Sequence, residues 1–96
     1  MEYLVTAFDD TDENALQRRM AARAAHLESA DQLKAAGKII AGGAILDDDN
    51  KMIGSTLYVN FATREELNQW LQNDPYVIQG VWKDVNVLPI KLAVKP

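Results

Sequence analysis

Apolar and polar positions along the chain switch between two periodicities, and the switches mark its elements. Residues 2–9 are rich in aromatic and β-branched types and stop at Asp9-Asp10, which predicts a first strand. From Thr11 to Ala36 there is no Gly or Pro, and Ala, Leu, Gln, Glu, Arg and Lys dominate, as in a helix. Asp12 and Glu13 stand where carboxylates favour a helix N-terminus, and Gly37 stands where a C-cap glycine belongs. Leu16, Met20, Leu27 and Ala30 recur at helical spacing and predict the buried stripe. Such a helix would be roughly 39 Å long, which invites a break within it. Residues 38–46 and 53–61 read as two strands joined through the polar run Asp47-Asp48-Asp49-Asn50-Lys51-Met52, a hairpin. Thr63 and Glu66 form a capping-box pattern for a second helix, whose buried face is Leu67, Trp70 and Leu71. Asn73-Asp74-Pro75 ends it, residues 76–80 form a short turn, and residues 85–94 predict the last strand.

The order β-α-β-β-α-β is the ferredoxin-like split βαβ arrangement, an α+β fold. Tyr3, Val5 and Ala7 fall on one face of the first strand and Leu4 and Phe8 on the other. The last strand sets Val85 and Val87 against Leu88, Ile90 and Leu92 in the same way. Two helices cover only one face of a four-stranded sheet, so the second apolar face needs another cover, and a partner subunit is the simplest. The expectation is one domain over residues 1–96 that pairs as a homodimer.

Composition narrows the function. The 96 residues carry a net charge of −4 and are 48% hydrophobic and 25% charged, an ordinary globular balance. No basic stripe exists to neutralise phosphates, so nucleic acid is not an expected partner. Cysteine is absent, which removes disulfides, thiolate metal sites and cysteine nucleophiles. The first residues lack the basic stretch and apolar run of a signal peptide, and no run reaches the ~20 apolar residues that span a bilayer. A cytoplasmic protein with no membrane partner is expected.

Few residues are left to carry chemistry. His26 is the only histidine; it falls about 80° from the centre of the apolar stripe, at the edge of the face expected to be buried. A single histidine excludes the paired-histidine zinc motifs. Asp74 before Pro75 is a common turn former. Arg18, Arg19 and Arg23 could meet an anionic substrate, or be solvated and paired with acids such as Glu13. An EF-hand loop from Asp47 would need glycine sixth and glutamate twelfth, but Met52 and Tyr58 stand there, so this run reads as a solvated turn, as does the Asp9–Asp12 segment. Gly42-Gly43 and Gly54-Ser55-Thr56 match neither a phosphate loop nor a serine nucleophile elbow.

Taken in order, Arg19-x-x-x-Arg23-x-x-His26-Leu27, Ala36-Gly37-Lys38, Gly43, Gly54-Ser55, Asp74-Pro75-Tyr76 and Gly80-Val81 resemble the YCII-related (YciI-like) family across nearly the whole chain. Ala25 and Ala44 depart from it, standing where many members have proline. The resemblance implies ferredoxin-like domains paired into a dimeric α+β barrel, with an active site made of His26 and Asp74. It also implies a pocket bordered by Arg19, Ser55 and Tyr76. The chemistry implied is acid–base catalysis without metal or cofactor: isomerisation, elimination or dehydrohalogenation of a small acid, cyclic ones included. The alternative is a non-catalytic dimer that binds a small ligand, and a cofactor-free monooxygenase is a further class.

Overall fold

Alternation in β1 (Glu2–Asp9) turns Tyr3, Val5, Ala7 and Asp9 to one side, and all four are buried. This strand is central in a four-stranded antiparallel sheet of order β2-β3-β1-β4, with β2 Ile39–Leu46, β3 Met52–Asn60 and β4 Trp82–Ile90. The helices α1 (Ala15–Ala35), α2 (Arg64–Asn73) and α3 (Pro75–Ile78) complete the βαββαβ order. The computed structural model describes all 96 residues, Met1–Pro96. The core gathers Val5, Leu57, Val59, Leu67, Tyr76 and Val81 between sheet and helices. No helix is long and apolar enough to cross a membrane.

The structure corrects the expected face of α1. Ala15, Arg19, Ala22 and His26 are buried, while Leu16, Met20 and Leu27 are exposed. Two alanines let the helix approach the sheet closely, and the large side chains on its buried side are polar. Of the expected stripe only Ala30 packs, half-buried, against the core while the three larger side chains point outward, and His26 lies on the buried face rather than at its edge. The helix starts at Ala15 instead of Thr11, because Asp12 turns back locally: it accepts from the Asn14 N–H at 3.1 Å and pairs with Arg18 at 2.7 Å. It runs unbroken for 21 residues, about 31 Å. Gly37, at φ 77°, ends it in a Schellman motif, with the Lys38 N–H on the Leu33 carbonyl and the Gly37 N–H on that of Lys34.

Thr63 caps α2 by accepting from the Glu66 N–H at 3.1 Å, but the Glu66 carboxylate is drawn to Lys38 at 2.7 Å instead of closing the box. The expected turn at 76–80 is α3, one helical turn, closed by a second Schellman motif at Gly80, φ 70°. The last strand spans Trp82–Ile90 rather than 85–94, since its length follows its partner: β1 pairs it from Asp9↔Trp82 to Glu2↔Ile90. Asp47 braces the hairpin by accepting from the Asp49 and Lys51 N–H groups.

Gly54 sits opposite Phe8 and Ile45, where a Cβ would collide with the carbonyl oxygen of Ala7. Backbone cannot move aside as a side-chain tip can. Gly54→Ala should cost about 2 kcal/mol in urea unfolding. Gly43→Ala in the neighbouring strand, where a Cβ meets nothing within 4 Å, should stay within ~0.5 kcal/mol of wild type.

Candidate active site

Asp74 is the N-cap of α3. Pro75 presets the first helical residue, and the Asp74 Oδ1 accepts from the Tyr76 N–H at 2.9 Å. The same carboxylate accepts from His26 Nδ1 at 2.8 Å through Oδ1 and 3.1 Å through Oδ2. An ionised carboxylate only accepts, so Nδ1 carries the hydrogen, and in the neutral imidazole Nε2 is then the nitrogen with the lone pair. The imidazole is stacked on Tyr76, with ring centroids 3.9 Å apart and planes 11° apart, and meets the edge of Trp82 at 5.6 Å. Both partners of the pair are buried. Burial raises the Tyr76 phenol above its ordinary range, so this ring is neutral under the imidazole.

A second buried network runs beside it. Arg19 Nη1 donates to both Asp9 oxygens at 3.0 and 3.1 Å, and Nη2 donates to Ser55 Oγ at 2.9 Å. Trp82 Nε1 donates to the same Oγ at 3.1 Å. The Arg19 Nε has no hydrogen-bond partner, and the guanidinium lies over the Tyr76 ring, 4.8 Å from its centroid. Burial raises the Asp9 carboxyl above its usual range, against the opposing pull of Arg19.

These side chains border a cleft of about 400 Å³ between α1 and β2, lined by Arg19, Arg23, His26, Ser55 and Tyr76, with Gly42 and Gly43 opposite. Asp74 stands behind the histidine, off the cleft wall. Four of the five expected site residues thus share the cavity, and the fifth holds one of them. Arg19 borders the cleft as expected, but its charge is met by Asp9 and one of its donors is taken by Ser55. The cations left without a carboxylate partner on the cleft are Arg23, half-buried, and Lys34, exposed. The reading of the Asp9–Asp12 segment as solvated fails at Asp9, which is 8% exposed and ion-paired. Its signal was present in the sequence, since Tyr3, Val5, Ala7 and Asp9 alternate toward one face. Trp82 was missed because it precedes the residues expected to form the last strand. A second hollow of about 720 Å³, bordered by Asp10, Asp12, Asp47, Asp84, Lys51 and Lys83, contains none of the expected site residues.

A family model, the YCII-related domain, matches residues 1–91. The chain belongs to the YCII-related family. A protein of Haemophilus influenzae is 35% identical over 97 residues, covering 95% of this chain and 97% of the relative. Protein YciI of Escherichia coli O6:H1 is 32% identical with the same coverage. Among solved structures, 5-chloro-2-hydroxyhydroquinone dehydrochlorinase from Burkholderia phenoliruptrix AC1100, in complex with 2,5-dihydroxybenzoquinone, superposes with a TM-score of 0.82. It is 32% identical, and the match covers 95% of this chain and 94% of that one.

The Asp9–Arg19 pair is the electrostatic support of this YCII-related cleft. Asp9→Asn leaves a buried guanidinium without its counter-charge and should cost about 3 kcal/mol in urea unfolding. Asp10→Asn, next door on the surface, should change stability by less than ~0.5 kcal/mol. Equal effects of the two would mean that the buried pair contributes nothing.

Proposed function

We propose that this protein is an enzyme whose cleft performs acid–base chemistry on a small, oxygen-rich cyclic acid, of the dehydrohalogenase, lyase or isomerase type. The observation that carries the reading is the His26 Nδ1–H bond to Asp74, which leaves Nε2 as the basic nitrogen of a ring that borders the cleft. His26 takes a proton from a substrate O–H or from a carbon next to a carbonyl. Asp74 offsets the charge of the imidazolium that forms. The electron pair released moves through the conjugated ring and departs with a leaving group such as halide, or returns to another carbon with a proton in an isomerisation. The imidazolium then gives its proton to water or product. Arg23 and Lys34 outnumber the one unpaired carboxylate of the lining, Asp31, which favours an anionic substrate, and the dehydrochlorinase similarity supports a hydroxylated ring.

The sheet face turned away from the helices exposes Phe8, Tyr58 and Leu88, with Leu4 half-buried between Tyr58 and Leu88 in register. The proposed cover is a second copy, packed sheet to sheet as a dimeric α+β barrel. Such an interface should bury on the order of 2,000 Å² in total. Light scattering at micromolar concentration should report a dimer, and a stable monomer there would rule this assembly out.

The catalytic reading is tested with 5-chloro-2-hydroxyhydroquinone as substrate and chloride release as readout. His26→Ala should lower kcat at least about 100-fold while the protein stays folded. Asp74→Asn should lower it less, because an amide still caps α3 but no longer offsets the imidazolium charge. Tight binding of the ring without turnover by wild type would favour the ligand-binding module instead.

A further inference from the structure

Ser55 receives two hydrogen bonds, from Arg19 Nη2 at 2.9 Å and Trp82 Nε1 at 3.1 Å. Neither partner is able to accept: a guanidinium has only donors, and an indole N–H is a donor alone. A hydroxyl has two lone pairs and one proton, and here both lone pairs are filled. The proton is left with the one remaining direction, and no protein atom accepts it. Ser55 is 3% exposed, and the surface it shares with His26 is the wall of the cleft. A buried donor without an acceptor costs about as much as a lost hydrogen bond, so the arrangement is complete only when something in the cleft supplies an oxygen.

We infer that Ser55 is a fixed hydrogen-bond donor to the substrate, aimed at a carbonyl, phenolate or enolate oxygen by Arg19 and Trp82. The inference rests on the reading of this cleft as the substrate site and adds which atom of the substrate the protein recognises. Two N–H groups pulling on Oγ, one of them cationic, polarise its O–H bond and strengthen it as a donor. The donor is worth most when negative charge gathers on the ligand oxygen, as it does when a base removes a proton elsewhere on a conjugated ring. Arg19 and Trp82 are positioning residues for this hydroxyl: Arg19 Nη2 and Trp82 Nε1 donate to Ser55 and act on the ligand through it. A ligand without an acceptor at this point leaves the proton unmet, so the site selects a ring oxygen over bare carbon, and most strongly an oxygen that carries negative charge.

The test uses 2,5-dihydroxybenzoquinone as probe, titrated calorimetrically into the full chain. Ser55→Ala should weaken binding at least about tenfold, as loss of a hydrogen bond to a charged oxygen does. Ser55→Thr, which keeps the hydroxyl, should stay within about threefold of wild type. Trp82→Phe, which frees one lone pair and releases the aim, should bind several-fold more weakly than wild type with Ser55 intact. If Ser55→Ala does not fold, the Trp82→Phe result decides. Binding by Ser55→Ala or by Trp82→Phe within twofold of wild type overturns the inference, as does failure of wild type to bind the probe. The dyad fails on a different readout, turnover by His26→Ala, so the two can fall independently.

Discussion

A guanidinium that is 3% exposed sets the terms for everything around it. Taking such an ion out of water costs several kcal/mol unless a counter-charge and further acceptors meet it. Asp9 at the end of β1 supplies the charge and Ser55 in β3 supplies an oxygen, which Trp82 at the start of β4 shares. One residue of α1 is thereby bound to two strands directly and tied to a third through Ser55, and the helix cannot slide along the sheet without breaking the set. The small side chains of Ala15 and Ala22 flank the contact and let the helix axis come close enough for it to form. His26 follows Arg19 by seven positions, two helical turns, and so emerges on the same face. The location of the imidazole is a consequence of where the arginine is anchored.

The other end of the imidazole depends on a turn only four residues long. Asp74 serves two donors at once, the Tyr76 backbone N–H and the histidine ring. Tyr76, held by that cap, lays its own ring flat against the histidine. The Schellman closure at Gly80 returns the chain toward Val81, which is buried, and into β4. Cap, stack and strand entry are thus one unit, and the orientation of His26 is as stiff as that unit. This stiffness is what a proton-transferring group requires, because its reach is a fraction of an ångström.

Much of this was legible in the sequence, and the losses have physical causes. The strands, the hairpin and the Gly37 stop are local patterns, so their limits were read within a few residues. The meeting of His26 with Asp74 was legible only through the resemblance to a family, because a separation of 48 positions leaves no local trace. Hydrophobicity misled at α1, where Leu16, Met20 and Leu27 outweigh Ala15 and Ala22 on any scale yet face outward. Asp9 looked like part of an acidic turn because Asp10 and Asp12 follow it, although strand alternation had already turned it inward. The engagement of Arg19 is a tertiary fact: no spacing rule says which of three nearby arginines will find Asp9.

The two tryptophans occupy very different surroundings. Trp70 lies against Phe61, with planes at 24°, in the packing of α2. Trp82 has its indole nitrogen on Ser55 and meets both His26 and Tyr76 edge-on. The molecule therefore carries its own optical reporter at the cleft and a reference chromophore away from it. A coloured quinone entering the cleft would drain the excited state of Trp82 by energy or electron transfer before that of Trp70, so the emission left behind takes on the spectrum of the more distant indole.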